Sequence, residues 1–164
     1  MKKILIYGPE LSLGPIAKAM GFSYAYLGDT DLGETMQSLM SRENKEAKET
    51  KENFWYLIGF DKKEIQTLDR WLQQEKIAVD CMAVHTETNE MWTLETLYAE
   101  VKEEREYFIV RQQLLDLLMH PDKEKLKEDP MYLRIMSLAF ALTEDQNAKK
   151  EDFLQAIDRI SNFM

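Results

Sequence analysis

Residues 54–60 read Phe-Trp-Tyr-Leu-Ile-Gly-Phe, the strongest strand signal in the chain. Aromatic and β-branched residues without a charge are typical of a strand that is covered on both faces. Asp61 follows, with Glu64 three residues later, which is the pattern of a helix-capping box. The next apolar residues have helical spacing and predict an amphipathic helix to about residue 76: Ile65, Leu68, Trp71 and Leu72.

The same strand-then-helix unit occurs on both sides of this stretch. Strands are expected at residues 4–7, 22–27 and 77–84, and helices at 13–20, 31–42 and from about 93. Strands that alternate with helices are typical of a parallel sheet, because each helix returns the chain to the edge where the previous strand began. The sequence therefore predicts an α/β domain over residues 1–105, with a small four-stranded parallel sheet flanked by helices in three layers.

Residues 42–53 interrupt this order with a run that holds Glu and Lys but no large apolar residue. We interpret them as a charged linker or an extension of the preceding helix. Residues 106–164 contain only helical patterns and predict a C-terminal all-helical tail or hairpin. The chain thus divides into a sheet domain and a helical extension.

Two helices of this tail bear on function. The long apolar stripe from Leu94 to Leu118 is interrupted by Glu104 and Arg111, which suits a helix that meets a partner helix. A second helix is expected to start at Asp129-Pro130 and to run to about Leu142. It is apolar nearly all round, through Leu133, Met136, Leu138 and Phe140, and we expect it to be buried.

Composition excludes several classes of function. The 164 residues include 21 Lys and Arg against 30 Asp and Glu, a net charge of −9, which opposes unspecific binding to nucleic acid or to an anionic membrane. The single cysteine, Cys81, excludes an intramolecular disulfide and a zinc site built from cysteines. There is no apolar run long enough to span a bilayer and no signal-peptide pattern, so the expected location is the cytoplasm.

A parallel sheet would bring the turns after its strands to one edge, where ligands of such sheets bind. The candidate patch for a ligand or partner there is Gly8, Asp29, Asp61, Thr86, Asn89 and Trp92. Asp29 lies 21 residues after Gly8, near the spacing of a ribose-binding acid, but the turn after the first strand has neither a P-loop lysine nor a G-x-G-x-x-G motif. Binding of a nucleotide or another small ligand is therefore the alternative hypothesis.

No catalytic or metal-binding set stands out. Cys81 and His85 are four residues apart on one strand, about 13 Å, which is too far for a shared metal ion. Asp61 and Thr86 have the positions of key residues in receiver domains, but the acidic pair after the first strand is missing. We predict no catalytic residue, no metal and no cofactor, and interpret Asp61 as a helix cap.

The turn after the fourth strand is the most distinctive motif. Residues 54–60, the helix after them, and then Ala83, Thr86, Asn89, Trp92, Leu94, Leu97 and Glu104 resemble the DUF3783 family, bacterial proteins of unknown function, over about residues 54–107. The T-x-x-N-x-x-W string is the most specific part. The resemblance implies no activity and no catalytic residue, so two interpretations stay open: a pinned turn with a packed indole, or a recognition patch.

These observations together predict a non-catalytic interaction or regulatory module. Ten methionines, several of them on helical faces, and the interrupted stripe favour an adaptable protein-binding surface in the tail. We expect a protein partner or, through the helical tail, a second copy of the chain.

Overall fold

The computed structural model describes residues 1–50 and 52–163, and its centre is one four-stranded sheet. The strands are β1 (Lys2–Tyr7), β2 (Phe22–Leu27), β3 (Phe54–Ile58) and β4 (Cys81–Val84). They lie in the order β2-β1-β3-β4, so the first and third strands are the central pair. The fourth strand is shorter than the predicted residues 77–84.

The prediction of a purely parallel sheet is wrong, because the sheet is mixed. β1 is parallel to β2 and β3 is parallel to β4, but β1 and β3 are antiparallel. Tyr7 at the end of β1 pairs with Phe54 at the start of β3, and Lys3 pairs with Ile58. The sheet therefore consists of two parallel pairs that point in opposite directions.

The path of residues 42–50 explains the reversal. The chain passes the start of β1 at Arg42, whose carbonyl oxygen accepts a hydrogen bond from Lys3. It then runs back along β2 in an extended path, where the N–H of Tyr26 donates to the carbonyl of Asn44 over 2.8 Å. β3 consequently begins at the end of the sheet where β1 stops. The segment is not a helix extension: residues 42–50 are non-helical and lie along the outer edge of β2.

Seven helices are formed within the described residues. They are α1 (Gly14–Met20), α2 (Met36–Leu39), α3 (Lys62–Gln74), α4 (Leu94–Met119), α5 (Lys123–Glu128), α6 (Pro130–Thr143) and α7 (Lys150–Ser161). The helix predicted for residues 31–42 is reduced to the single turn of α2, after a 3₁₀ turn at Asp29–Asp31. None of the helices of the described residues combines the length and apolar character needed to cross a membrane.

Alternating side chains bury both faces of the sheet. Ile4 and Ile6 of β1 face α1 and α3. Leu68 and Leu72 of α3 complete one core on this face. The opposite face carries a second core that α2 and the start of α4 cover. Members of this second core include Leu5, Tyr7, Tyr56, Met36, Leu94 and Leu97. The strands are apolar at nearly every position because both faces of the sheet are covered.

The chain divides into two compact units, Met1–Lys102 and Glu103–Met164. The first unit contains the sheet and its two cores. The second unit is helical and has its own core, built around Leu114 of α4, Tyr132 and Met136 of α6, and Phe153 and Ile160 of α7.

Candidate functional site

The mixed sheet separates the six residues that the sequence predicted as one patch. Gly8 and Asp29 follow β1 and β2, whereas Asp61 and the turn after β4 follow strands that point the other way. A strand of this length separates the two ends of the sheet by roughly 17 Å. The expectation of one shared edge is therefore wrong, and the two groups must be considered separately.

At the end of the sheet where β1 and β2 stop, Asp29 is held by hydrogen bonds within the chain. The hydroxyl of Tyr7 donates a hydrogen bond to the Asp29 carboxylate, and the N–H of Asp29 donates to the carbonyl of Glu49 over 3.3 Å. Gly8 is buried, and a Cβ atom there would lie 2.7 Å from Oδ1 of Asn53. A side chain at position 8 would therefore require the Asn53 side chain to move.

Three polar side chains, Tyr98, Lys102 and Glu52, form a cluster close to Tyr7. The ring of Tyr98 packs edge-on against Tyr7, with 6.2 Å between centroids, and Lys102 pairs with Glu52 over 3.3 Å. Hydrogen bonds from Tyr98 and Lys102 lower the pKa of the Glu52 carboxyl. Tyr98 and Lys102 therefore serve as hydrogen-bond donors to the Glu52 carboxylate.

At the other end of the sheet, Asp61 is the helix cap that the sequence predicted. Its carboxylate accepts a hydrogen bond from the N–H of Glu64 over 2.8 Å, and Glu64 accepts from the N–H of Asp61 over 3.1 Å. Glu64 also pairs with Lys2. Lys2 and then the Asp61 N–H lower the pKa of Glu64. The prediction of a capping box is confirmed.

Asn89 fixes the turn after β4 with every polar atom of its side chain. Its Oδ1 accepts from the N–H of Thr86 over 2.9 Å and from the hydroxyl of Tyr56 over 2.6 Å. Its Nδ2 donates to the carbonyl of Val84 over 2.9 Å. Burial, and next the Glu90 carboxylate, raise the pKa of Tyr56, so its hydroxyl remains a donor. These are the side-chain-to-backbone bonds that the pinned-turn interpretation predicts.

Trp92 completes this motif by packing on the sheet. Its indole is half-buried against the core that contains Leu94 and Leu97, and its carbonyl accepts from the N–H of Met36 over 2.9 Å. Trp92 therefore joins the turn to α2.

Neither end of the sheet holds a cluster of metal-binding side chains among the residues that the structure describes. Cys81 is buried, and His85 lies 2.7 Å from the Glu90 carboxylate through Nε2. Across residues 1–50 and 52–163, no group of three or more His, Cys, Asp or Glu side chains is placed to hold a metal ion.

The strongest departure from an ordinary protein surface lies on α6 instead. Its inner face packs into the helical core through Tyr132, Met136, Ala139 and Thr143. Four large apolar side chains point outward and are about half exposed: Met131 (54 %), Leu133 (48 %), Leu138 (56 %) and Phe140 (58 %). The prediction that this helix is buried all round is wrong for the single chain. We call these four residues, with Arg134, Ser137 and Ala141 between them, the outer face of α6.

Grooves lie on both sides of this outer face. One, of about 260 Å³, runs between α6 and α7 and is lined by Leu138, Leu142, Ala156 and other residues of the two helices. The other, of about 230 Å³, is bordered by Phe140 together with Leu118 and Leu126. The exposed apolar surface is therefore grooved, and a grooved surface allows the close shape complementarity found at interface cores.

Local interactions hold α6 in place. Asp129 caps its first turn through bonds of 3.0 Å and 3.4 Å to the N–H groups of Met131 and Tyr132. Arg111 of α4 donates to the carbonyl of Thr143 at the other end over 3.0 Å. Arg111 interrupts the apolar stripe of α4 for this structural reason. A fixed helix presents its outer face without the entropy cost of ordering it on binding.

The sequence indicated α6 by its apolar character but did not show which side chains stay exposed. Arg134 is the only charged residue between Pro130 and Thr143, and this sparsity is the signal that distinguishes it from an ordinary surface helix. Arg134 makes no ion pair or side-chain hydrogen bond with the described residues.

Comparison with known proteins confirms the resemblance noted from the sequence. Residues 57–108 match the family model of a domain of unknown function, DUF3783. The match covers the end of β3, α3, β4, the Thr86–Trp92 turn and the first part of α4. The outer face of α6 lies outside it. No curated protein and no solved structure matches the chain.

Proposed function

We propose that this protein is a non-catalytic interaction module that associates with a second copy of itself through the outer face of α6. The observation that carries the proposal is the half exposure of Met131, Leu133, Leu138 and Phe140 on a helix with one charged residue. A helix that is apolar all round is normally buried. An outside partner would complete that burial.

The size of the exposed surface supports an interface. Four half-exposed side chains of this size present roughly 350 Å² of apolar surface, in two strips on either side of Arg134, Ser137 and Ala141, and exposed apolar area of this extent often marks a binding site. A standard interface buries about 800 Å² on each partner, so this patch would be the core and the flanking grooves the surrounding contact area.

Charge complementarity favours a second copy over another partner. In an antiparallel pair of α6 helices that cross midway between Ser137 and Leu138, Arg134 of each copy lies opposite Ala141 of the other. At 1.5 Å per residue, Glu144 is then about 4.5 Å further along, within reach of an arginine side chain. Glu144 stands at the carboxyl end of α6, where the helix dipole favours a cation, and neither residue has an ion-pair partner within the described part of its own chain.

Small side chains allow the helices to approach closely. Ser137 and Ala141 occupy the centre of the outer face, and Leu138 and Phe140 flank it. Because the pairing is two-fold symmetric, each Arg134–Glu144 contact occurs twice.

The non-catalytic part of the proposal is supported by the state of the predicted site residues. Asp61 caps a helix, and Asn89 uses its side chain to fix a turn. The two groups of the predicted patch lie at opposite ends of the sheet. No observation at those ends favours the alternative of nucleotide binding.

Sedimentation velocity over a concentration series up to about 200 µM tests self-association. We expect a mass that rises toward twice the 19.3 kDa of one chain. Leu138→Glu places a charge in the apolar contact and is expected to weaken the dimer at least about 100-fold. Met91→Glu is the matched control, because Met91 is equally exposed but belongs to the sheet unit. A wild-type chain that stays monomeric throughout, or a Leu138→Glu variant that dimerises normally, contradicts the proposal.

A further inference from the structure

Lys3 is a buried ammonium group without a carboxylate partner. It lies on the same face of β1 as the core residues Leu5 and Tyr7, and 6 % of it is exposed. Its Nζ donates to the carbonyl of Met40 over 2.8 Å and to that of Arg42. No carboxylate of the described residues lies within 4 Å of it. Buried charges are normally paired, so we expect a counter-ion for the Lys3 ammonium group.

The surroundings compensate the charge only in part. Burial lowers the pKa of Lys3, the Glu43 carboxylate offsets part of this shift by raising it, and Lys45 has a smaller lowering effect. The two carbonyl bonds leave one of the three ammonium protons of Lys3 without a partner among the described residues.

A pocket of about 250 Å³ opens beside Lys3, at the starts of β1 and β2. Its wall includes Lys3, Ser23, Tyr24, Arg42, Glu43 and Lys45. The excess of basic groups is notable in a chain with a net charge of −9. Arg42 is paired with Glu34 and Asp31, whereas Lys3 and Lys45 of this wall have no ion-pair partner among the described residues.

We propose that this pocket binds a small oxyanion, a phosphate or carboxylate group, between the ammonium groups of Lys3 and Lys45. The exposed hydroxyl of Ser23 makes no hydrogen bond within the described chain and is an additional donor. Lys45 is held over the ring of Tyr24, 4.5 Å from its centroid, and donates to the Tyr24 carbonyl, so it is already positioned.

Size and charge restrict the ligand. Pockets for drug-sized molecules start at about 300 Å³, so a pocket of this volume suits a free anion or a small metabolite and not a dinucleotide. Glu43 in the same wall offsets part of the positive charge, which predicts weak binding.

Thermal unfolding in inorganic phosphate, in acetate and in chloride at matched ionic strength tests the proposal. An anion that binds only the folded chain raises its Tm, and we expect a rise of about 3 °C near saturation in phosphate or acetate relative to chloride. The larger of the two shifts tells whether phosphate or carboxylate is preferred. Amide NMR signals of Ser23 and Tyr24 should shift and saturate over the same concentrations.

Two variants and a control assign the effect to the pocket. Lys45→Gln, at an exposed position, is expected to reduce the shift at least by half, and Lys3→Met to abolish it. Lys63→Gln on α3 is the control and keeps the full shift. Should Lys3→Met fail to fold, Lys45→Gln carries the test. Equal Tm values in all three salts, or an undiminished shift in Lys45→Gln, overturns the proposal.

Discussion

The backbone N–H of Tyr26 donates a hydrogen bond to the carbonyl of Asn44 over 2.8 Å, and this contact joins the outer edge of β2 to the charged segment after α2. Asp29 makes a similar bond to Glu49 over 3.3 Å, and Ala47 packs against the core between them. An edge strand with free N–H groups is a site for unwanted pairing with other chains. Residues 44–49 therefore protect the edge of the sheet as well as directing the chain toward β3.

Hydrogen exchange of Tyr26 should report on this cover. Replacing residues 44–49 by a Gly-Ser sequence of equal length removes the Lys45 and Ala47 contacts, and we expect the Tyr26 amide to exchange at least about tenfold faster. NMR-detected exchange measures it. The control is Ala25, whose N–H faces β1 by the alternation of the strand. Equal acceleration at both amides would mean global destabilisation, and unchanged exchange at Tyr26 would contradict the role assigned to the segment.

Asn89→Ala should destabilise the sheet unit by about 2 kcal/mol, because it removes three hydrogen bonds, including the one that the Val84 carbonyl accepts. Urea unfolding measures the change. Tyr56→Phe, which removes one of the three bonds, should cost about 1 kcal/mol.

Thr88→Ala is the neighbouring control, since no side-chain capping bond is made by Thr88 in this turn. It should leave the free energy of unfolding within about 0.5 kcal/mol of the wild type. An Asn89→Ala variant as stable as the wild type would favour the recognition-patch interpretation over the pinned turn.

The pKa of Glu64 should lie below its ordinary value of 4.5, because Lys2 and the Asp61 N–H stabilise the carboxylate. A carboxyl whose pKa is lowered by folding stabilises the native state above its unfolded pKa, and this contribution disappears as the pH falls through the folded pKa. The side-chain carboxyl signal of Glu64 in an NMR titration measures the pKa directly. Lys2→Met should move the midpoint back toward 4.5, whereas Lys63→Met, on the same helix, should not.

The strands were predictable from the sequence, but the direction of β3 was not. The run at residues 54–60 and its neighbours contain the apolar residues that a buried strand requires, and all four strands form. Whether β3 runs with β1 or against it depends on the route of residues 28–53. The edge contacts of that route are made by backbone groups such as the Asn44 carbonyl, which leave no pattern in the side chains.

Long-range bonds also explain why α2 is short. The carbonyls of Leu32 and Glu34 accept hydrogen bonds of 3.0 Å from the N–H groups of Glu95 and Leu94, so they are not available to a helix over residues 31–42. Thr35 then caps the single remaining turn by accepting from the N–H of Ser38. Tertiary contacts override local periodicity here.

The helix caps of the sheet domain were predictable because they depend on neighbours in the sequence. Asp61 binds a backbone N–H three residues away, and two of the three bonds of the Asn89 side chain are to backbone groups within five residues, so their spacing indicates their roles. For α6, composition predicts burial but does not tell whether the covering surface belongs to the same chain. The half exposure of Leu138 and Phe140 became visible only with the positions of α4 and α7 relative to α6 in the helical unit.

Charge exchange between Arg134 and Glu144 tests the antiparallel pairing separately from self-association itself. Arg134→Glu places two carboxylates together at both symmetric contacts, and Glu144→Arg does the same with two cations, so each should weaken the dimer about tenfold. The double variant restores opposite charges and should regain most of the affinity, as sedimentation velocity would measure. Glu75→Arg, an exposed charge reversal in the sheet unit, is the control for net charge. Single variants that dimerise like the wild type would refute this pairing while leaving a dimer through Leu138 in place, because the apolar contact does not depend on the register of the charges.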